Sequence, residues 1–575
     1  MLKRIFSYMK KYRMYAVGAT VCVFFETMFE LVIPLIMANI VDVGVANGDK
    51  AYIFRMGGLM AICALGSLAL GVGGSRFAAV CGQGLGAELR KAEYRKLQGF
   101  SFANTDRFRT SSLITRLTSD VTTIQNSVST GIRPAFRAPL MMLTAIIVSF
   151  TINAKLAVIF MVAVPVLGVL LFQIIFHVRP LYTKMQGAID LVNRIIQENL
   201  TAIRVVKAYV RGDYEIEKFE KVNTNLRTNS EKAFRLAALN MPAMQLVMYT
   251  TILCILWFGG RQIQIGGLKV GELTGFLSYV MQVLNSMMMI SNIFMMLTRS
   301  LASGKRILEV IDEDIDIKED RVKDSSVERG DITFQHVYFK YKKEAPEFVL
   351  SDISFEIKSG QTIGIIGQTG AAKSTLVQLI PRLYDITSGS LLIDGRPVYE
   401  YPLKHLRDSI AMVLQKNTLF SGTVKENLRW GKEDATDEEI EKACRIACVD
   451  EFIDRLENGY ETEMGQGGVN VSGGQKQRLC IARAILKRPK VLILDDSTSA
   501  VDTATEAKIR SALAEELPDM TKIIIAQRIS SVAHADQIII LEDGRIDAVG
   551  THEKLLASNQ IYQEIYYSQQ EGADL

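Results

Sequence analysis

The sequence predicts a multidomain chain, an all-α six-helix transmembrane domain followed by an α/β domain with an antiparallel β subdomain, and three observations lead there. Six long apolar segments fall within residues 1–302. Near Ser303 the composition changes once, from long apolar runs to short ones alternating with Gly, Asp and Lys. Beyond that change an apolar strand runs directly into a glycine-containing loop that ends in Lys-Ser-Thr. A chain of 575 residues is too long for one compact core. We read residues 1–302 as the membrane domain, 303–330 as a linker and 331–575 as the second domain.

A helix needs about 20 apolar residues to cross the hydrocarbon core. Segments 14–41, 53–81, 132–152, 156–176, 237–258 and 273–297 meet that length. The first is too long for a signal peptide and lacks a small-residue cleavage site, so it reads as a retained span. Only Asn153, Ala154 and Lys155 link the third and fourth spans, which forces a tight turn at one membrane face. By contrast, the second-to-third and fourth-to-fifth connections are long, helical in pattern and basic, with Arg90, Lys91, Arg95 and Lys96 in one and Arg204, Lys207 and Arg211 in the other. Positive-inside bias places both in the cytoplasm with Lys3, Arg4, Lys10, Lys11 and Arg13, and an even number of crossings returns the second domain there. Ahead of the first span, Leu2, Ile5, Phe6 and Met9 share a helical face suited to the membrane interface.

Two polar features interrupt these spans. Glu26 and Glu30 lie one helical turn apart in the first, and a carboxylate in hydrocarbon is costly unless it is paired or faces water. Contact with a cationic or polar substrate and pairing with polar side chains for packing are both open readings. In the last span Met281, Met287, Met288, Met289, Met295 and Met296 are interleaved with Gln282, Asn285 and Asn292. Flexible thioethers suit a surface that accepts several apolar shapes, and they also suit ordinary packing.

The remaining composition is mainly restrictive. A net charge of +4 is small for this length and gives no ground for a nucleic-acid partner. Seven cysteines show no C-x-x-C spacing and no nearby histidine pairs, so they read as small buried hydrophobes.

In the second domain, short strands between residues 331 and 357 precede an apolar strand at 362–366 and the loop Gly367-Gln368-Thr369-Gly370-Ala371-Ala372-Lys373-Ser374-Thr375. This is a phosphate loop: backbone amides surround phosphates, Lys373 supplies charge and Ser374 can ligate magnesium. It departs from G-x-x-x-x-G-K-[ST] because Ala372 replaces the last glycine. The extra methyl is tolerable on a right-handed backbone and forbidden on a left-handed one. The strand 491–495 delivers Asp495 at its C-terminal end, where magnesium near the loop can be held through water. Between them Ser472, Gly473, Gly474 and Gln475 expose amides at a helix start. One chain has no second phosphate for that surplus anion site, so a second chain's ATP is its best explanation.

In this order, the loop, the Ser472-Gly473-Gly474-Gln475 signature and the Asp-terminated strand resemble the cassette of ATP-binding cassette (ABC) proteins. With six preceding spans, nearly the whole chain resembles the half-transporters of ABC exporters in a bacterial plasma membrane. The resemblance implies ATP and Mg2+ as cofactors, Tyr341 stacking on adenine, Gln415 sensing magnesium and the γ-phosphate, and the segment Ser499 to Asp502 signalling between sites. It further implies that the segments 105–120 and 211–214 dock on cassettes. No substrate-capturing domain is read ahead of the first span, which disfavours import.

Three further positions break the family pattern. Asp496 stands where a catalytic glutamate is usual, and Gln527 where a switch histidine is usual; Gln466 also replaces a common glutamate before the signature. Both catalytic positions, Asp496 and Gln527, serve hydrolysis, while Lys373, Ser374 and Asp495 serve binding. The expectation is an ATPase coupled to export of small amphipathic or drug-like molecules, built as a heterodimer in the lipid bilayer. This chain's own site binds ATP and hydrolyses it slowly, and a different partner chain supplies an intact Glu and His. A homodimeric lipid or peptide translocase and an ATP-gated channel or regulator are the alternatives.

Overall fold

The computed structural model describes residues 1–571 other than 321, 324, 343 and 497–499, and leaves aside the side chains of Leu2, Met295 and Glu571. The chain divides into two compact units, Met1–Gln98 with Thr110–Glu313, and Gly99–Arg109 with Asp314–Leu575.

The first unit is helical. Its principal helices are α1 (Arg13–Asn39), α2 (Lys50–Gln98), α3 (Val121–Ile152), α4 (Ala154–Thr201), α5 (Gly212–Ala237), α6 (Asn240–Gln264) and α7 (Val270–Ile311). Among the described residues six helical segments are long and apolar enough to cross a membrane, with α5 and α6 together in the fifth. The turn between α3 and α4 is tighter than the three-residue link suggests. Asn153 alone separates them, its side-chain oxygen accepting from the backbone N–H of Lys155 and Leu156 at 3.1 Å each to cap α4. Small residues let α2 and α3 touch: a Cβ on Gly82 would lie 2.7 Å from the Gln125 carbonyl oxygen. Five of the seven cysteines are buried.

The N-terminal helix departs from expectation. Leu2–Ser7 is helical, yet Ile5 is buried with Cys81, Leu85, Val121 and Ile307, while Phe6 is exposed. The bundle's own apolar surface competes with the membrane interface for Ile5, and Arg4 is tied to Asp312 at the end of α7.

Buried charge links α1 to α3. Arg133 Nη2 donates to both Glu26 oxygens at 2.9 Å, Arg137 Nη1 to Glu26 Oε1 at 3.0 Å, and Arg137 Nη2 to both Glu30 oxygens at 2.7 Å. The four side chains therefore alternate in sign along a ladder, which is how carboxylates are retained inside an apolar bundle.

The second unit combines two larger sheets with a short antiparallel pairing of Gly422–Thr423 and Glu463–Met464. Strands β1 (Ile332–Phe339), β2 (Leu350–Ile357) and β4 (Ser388–Ile393) form the antiparallel subdomain, with β1 between the other two. The main sheet runs β9-β8-β3-β7-β6-β5, from β3 (Thr362–Ile366), β5 (Ile410–Val413), β6 (Val491–Asp495), β7 (Thr521–Ile525), β8 (Gln537–Glu542) and β9 (Arg545–Gly550). All of its pairings are parallel except β8 with β9. Every residue of β6 and β7 is buried, as expected of central strands covered on both faces. Register aligns Ile525 with both Ile365 and Asp495, so β3, β6 and β7 end together at one edge.

This unit also takes in residues 99–109. Ser101 caps the short helix Phe102–Arg107, Asp106 accepts from the Tyr384 hydroxyl at 2.6 Å, and Asn104 donates to the Asp314 carbonyl at 2.9 Å. Of the segment 105–120, residues from Thr110 onward belong to the helical unit, because they continue into α3.

Removing the Glu26 charge should leave Arg133 without a carboxylate partner and Arg137 with Glu30 alone. Glu26→Gln is expected to cost about 3 kcal/mol of stability, measured by thermal unfolding of the purified full chain. Adding Arg133→Met should restore most of it.

Candidate nucleotide-binding site

The common edge of β3, β6 and β7 assembles the site. The phosphate loop leaves β3 and enters α8 (Lys373–Gln378). Gly367 is required by close approach, since a Cβ there would lie 2.1 Å from the Leu541 carbonyl oxygen. Gly370 has φ +93° and so needs the freedom of glycine. Lys373 Nζ donates to the carbonyls of Gly367 and Gln368 at 2.7 and 2.9 Å, folding its charge over the loop. Burial lowers its pKa from the usual lysine value, opposed by Asp496 and Asp495.

Ala372 corrects the sequence reading. Its backbone is left-handed, φ +67° and ψ +24°, and the methyl is nonetheless accommodated, packed against the apolar core beneath the loop. Left-handed geometry costs an L-residue about 1–2 kcal/mol; it is not forbidden. Asp496 is left-handed as well, at φ +48°.

Asp495 ends β6 almost fully buried and accepts from Ser374 Oγ at 2.8 Å. Burial raises its carboxyl pKa above the usual range against the opposing Ser374 hydrogen bond and Lys373, with Asp496 adding to the rise. A buried carboxylate under that pressure, touching a hydroxyl, suits a divalent cation, which would stabilise its charge. The residues present therefore fit magnesium, which Ser374 and Asp495 would hold.

Asp496 follows at the strand end. Its backbone N–H donates to the Ile525 carbonyl at 3.1 Å, and its Oδ2 accepts from Gln527 Nε2 at 2.7 Å and from Gln415 Nε2 at 3.4 Å. The structure thus brings Asp496, Gln527 and Gln415 together.

Tyr341 shares a hydrogen bond of 2.8 Å with Thr375 Oγ1 and stands edge-on to Phe339 and Tyr384, with the ring 45% exposed. At the signature, Ser472 caps α9 (Gly473–Leu486) in a capping box with Gln475. Ser472 and Gly473 are exposed. A Cβ on Gly474 would meet the Ala500 carbonyl at 2.8 Å, and Gln477 Oε1 accepts from the Ala500 N–H at 3.0 Å. Ser499 lies outside the described residues, while Asp502 caps the next helix through the Thr505 N–H at 2.9 Å. Gln466 is exposed, and so are Tyr209, Val210 and Tyr214 around 211–214.

Three contributors were not foreseen. Arg133 and Arg137 hold Glu26 and Glu30. Gln569 of α10 (Gln560–Glu571) brackets the switch segment, donating to the Gln527 carbonyl at 2.8 Å and accepting from the Ile529 N–H at 2.9 Å. No short-range signal marks a contact made across some forty residues.

The left-handed loop residue has a direct test. Ala372→Gly is expected to gain at most about 1 kcal/mol, backbone relief being offset by unfolded-state entropy. Ala372→Val should lose at least about 1 kcal/mol, since a β-branched residue there is a true outlier. Thermal unfolding of the full chain measures both.

Comparison with known proteins follows the same division. The ABC transporter transmembrane region family matches residues 17–287, and the ABC transporter family matches residues 350–499. The chain is 41% identical over 575 residues, 100% of each chain, to the ABC transporter ATP-binding protein YfiB of Bacillus subtilis (strain 168). It is 36% identical over 482 residues to YgaD of the same organism, named as a multidrug export ATP-binding/permease protein, covering 82% of this chain and 81% of that one. The structure of a bacterial Atm1-family ABC exporter with ATP bound is similar at a TM-score of 0.83 and 25% identity, covering 97% of this chain and 98% of that one. A membrane bundle and an ATP-binding cassette in one chain, matched over their full length, place it in the ABC transporter family as a half-transporter of the exporter type, a multi-pass bacterial membrane protein with a cytoplasmic nucleotide-binding domain.

Proposed function

We propose that this half-transporter exports small amphipathic or drug-like molecules as one half of a heterodimer, and that its own phosphate-loop site binds ATP but hydrolyses it slowly. The relative named for multidrug export supports the substrate class. The asymmetry rests on one observation, the Asp496–Gln527 pair at 2.7 Å.

Half-transporters of this family work as dimers. In the proposed complex Lys373 and the loop amides hold the phosphates, Ser374 and Asp495 hold magnesium, Tyr341 stacks on the base and Gln415 reads the γ-phosphate. Magnesium supplies charge neutralisation on the phosphate oxygens. Hydrolysis further needs a carboxylate placed to orient water and a cation near the developing charge. Aspartate is one methylene shorter than glutamate, a retraction of about 1 Å, and misplacement on that scale costs about 100-fold in rate. Gln527 donates a hydrogen bond yet carries no charge, and its amide already occupies the Asp496 carboxylate. Binding groups are therefore intact while the hydrolytic pair is weak. The exposed signature at Ser472 and Gly473 completes a competent site whose loop, glutamate and histidine belong to the partner.

ATP between the cassettes favours one conformation of the membrane domain, and hydrolysis at the competent site releases it. Such a cycle drives transport only if ATP binds one state more tightly.

Restoring the missing groups tests the reading. Asp496→Glu with Gln527→His in the two-chain assembly is expected to raise ATP hydrolysis by this site at least tenfold, measured as phosphate release with the partner's glutamate replaced by glutamine. The wild-type chain purified alone should hydrolyse slowly; turnover equal to that of the assembly would refute the division of labour.

A further inference from the structure

We propose that Glu93 is a proton-binding site of the ATP-driven cycle: it is the neutral acid while α2 is packed against the segment leading into α3 and the end of α7, and it gives its proton to water when that junction opens. The inference goes beyond the export reading and holds whichever chain completes the dimer.

Glu93 lies beyond the apolar segment 53–81, about 18 Å further along α2, in the basic stretch that holds Arg90, Lys91, Arg95 and Lys96. Its position is therefore outside the hydrocarbon. It is nonetheless fully buried, and neither side-chain oxygen has a hydrogen-bond partner. One and two turns earlier on the same helix, Leu89 and Leu85 are buried with Val121, Ile124 and Ile307, so Glu93 continues an apolar face.

The charged groups around it are matched to other partners. Arg116 and Asp120 begin and end one π-helical turn. Arg116 Nη1 donates to the Arg306 carbonyl at 2.6 Å, and its Nη2 pairs with Glu309 at 3.1 Å. Asp120 accepts from Arg306 Nε at 2.7 Å. Arg90, on the same helix as Glu93, donates to Thr122 Oγ1 at 3.2 Å. No arginine reaches Glu93 with a hydrogen bond. Burial, with the Asp120 charge in support and Arg116 and Arg90 opposed, pushes its carboxyl up to about 8.

A bare charge is not tolerated in an apolar junction, so ionisation requires water, and water requires the helices to part. The packed junction holds the proton more tightly than an open one, where the carboxyl has its ordinary value. The packed-to-open ratio therefore declines as pH rises from the ordinary carboxylate range to about 8, and levels off above it. Covalent connection links this junction to the cassette. The chain leaves α2 at Gln98, contributes residues 99–109 to the cassette unit and returns at Thr110 towards α3. A displacement of that segment is delivered to both sides of Glu93.

The test follows amide hydrogen exchange of the transporter dimer in lipid nanodiscs between about pH 6 and about pH 9, each rate divided by that of an unstructured peptide of the same sequence. Protection of residues 86–98 and 116–124 should fall at least about tenfold over that range while that of residues 60–72 stays level. Glu93→Gln, which is permanently neutral, should abolish the fall. ATP hydrolysis by the same dimers is measured alongside: the two should turn over alike at about pH 6, and the wild type should be at least about threefold slower than the variant at about pH 9. ATP binding at the cassette certifies the variant's fold, and if the variant does not fold the wild-type exchange profile decides alone. Level protection across the range, or a fall that survives Glu93→Gln, overturns the proton site. A fall without the pH-dependent difference in hydrolysis overturns its part in the cycle.

Discussion

The shared ending of three parallel strands is the constraint on which the nucleotide site depends. Because Ile525 sits level with Ile365 and Asp495, the phosphate loop, the paired aspartates and the switch glutamine leave the sheet at one edge. A slip of one residue in either pairing would turn Asp495 and its neighbours to the opposite face. The five buried residues of β6 and of β7 hold that register, since each has apolar contacts to lose on both sides. From the same edge Gln569 reaches the backbone around Gln527, so the C-terminal helix steadies the segment that carries the switch position.

What converges there divides by chemistry. Lys373, Ser374 and Asp495 form a half-buried set of complementary charge and hydroxyl suited to phosphate and a divalent cation. Asp496 and Gln527 hydrogen-bond each other, a short carboxylate with a neutral amide. The membrane unit also holds its charges by pairing: Arg133, Glu26, Arg137 and Glu30 neutralise one another in sequence along one ladder.

Local patterns were readily legible. The six spans, the strand-to-helix loop at 367–375, the buried strand ending in Asp495 and the helix start at Ser472 are each written in contiguous residues, and the structure contains these elements. Contacts between distant segments were not. Glu26 and Glu30 stood out as carboxylates in an apolar run, but their arginines lie more than a hundred positions away in the third span. Ile5 shows amphipathic spacing that suits lipid and protein equally, and only the position of α2 and α7 decides between them. The short helix Phe102–Arg107 joined the cassette unit through Tyr384 and Asp314, neither of which has a sequence signature. At Ala372 the substitution was visible, whereas its left-handed backbone was not, and the penalty proved bearable because it is a small fraction of a domain's stability.

The state of the nucleotide left on this chain after turnover tests the central claim most directly. With radiolabelled photoreactive ATP, the two-chain assembly is run to steady state, crosslinked, separated and analysed chain by chain. Intact triphosphate retained at the Lys373 site, with diphosphate at the partner's, is the expected result. Diphosphate appearing on both chains at the same rate would contradict it.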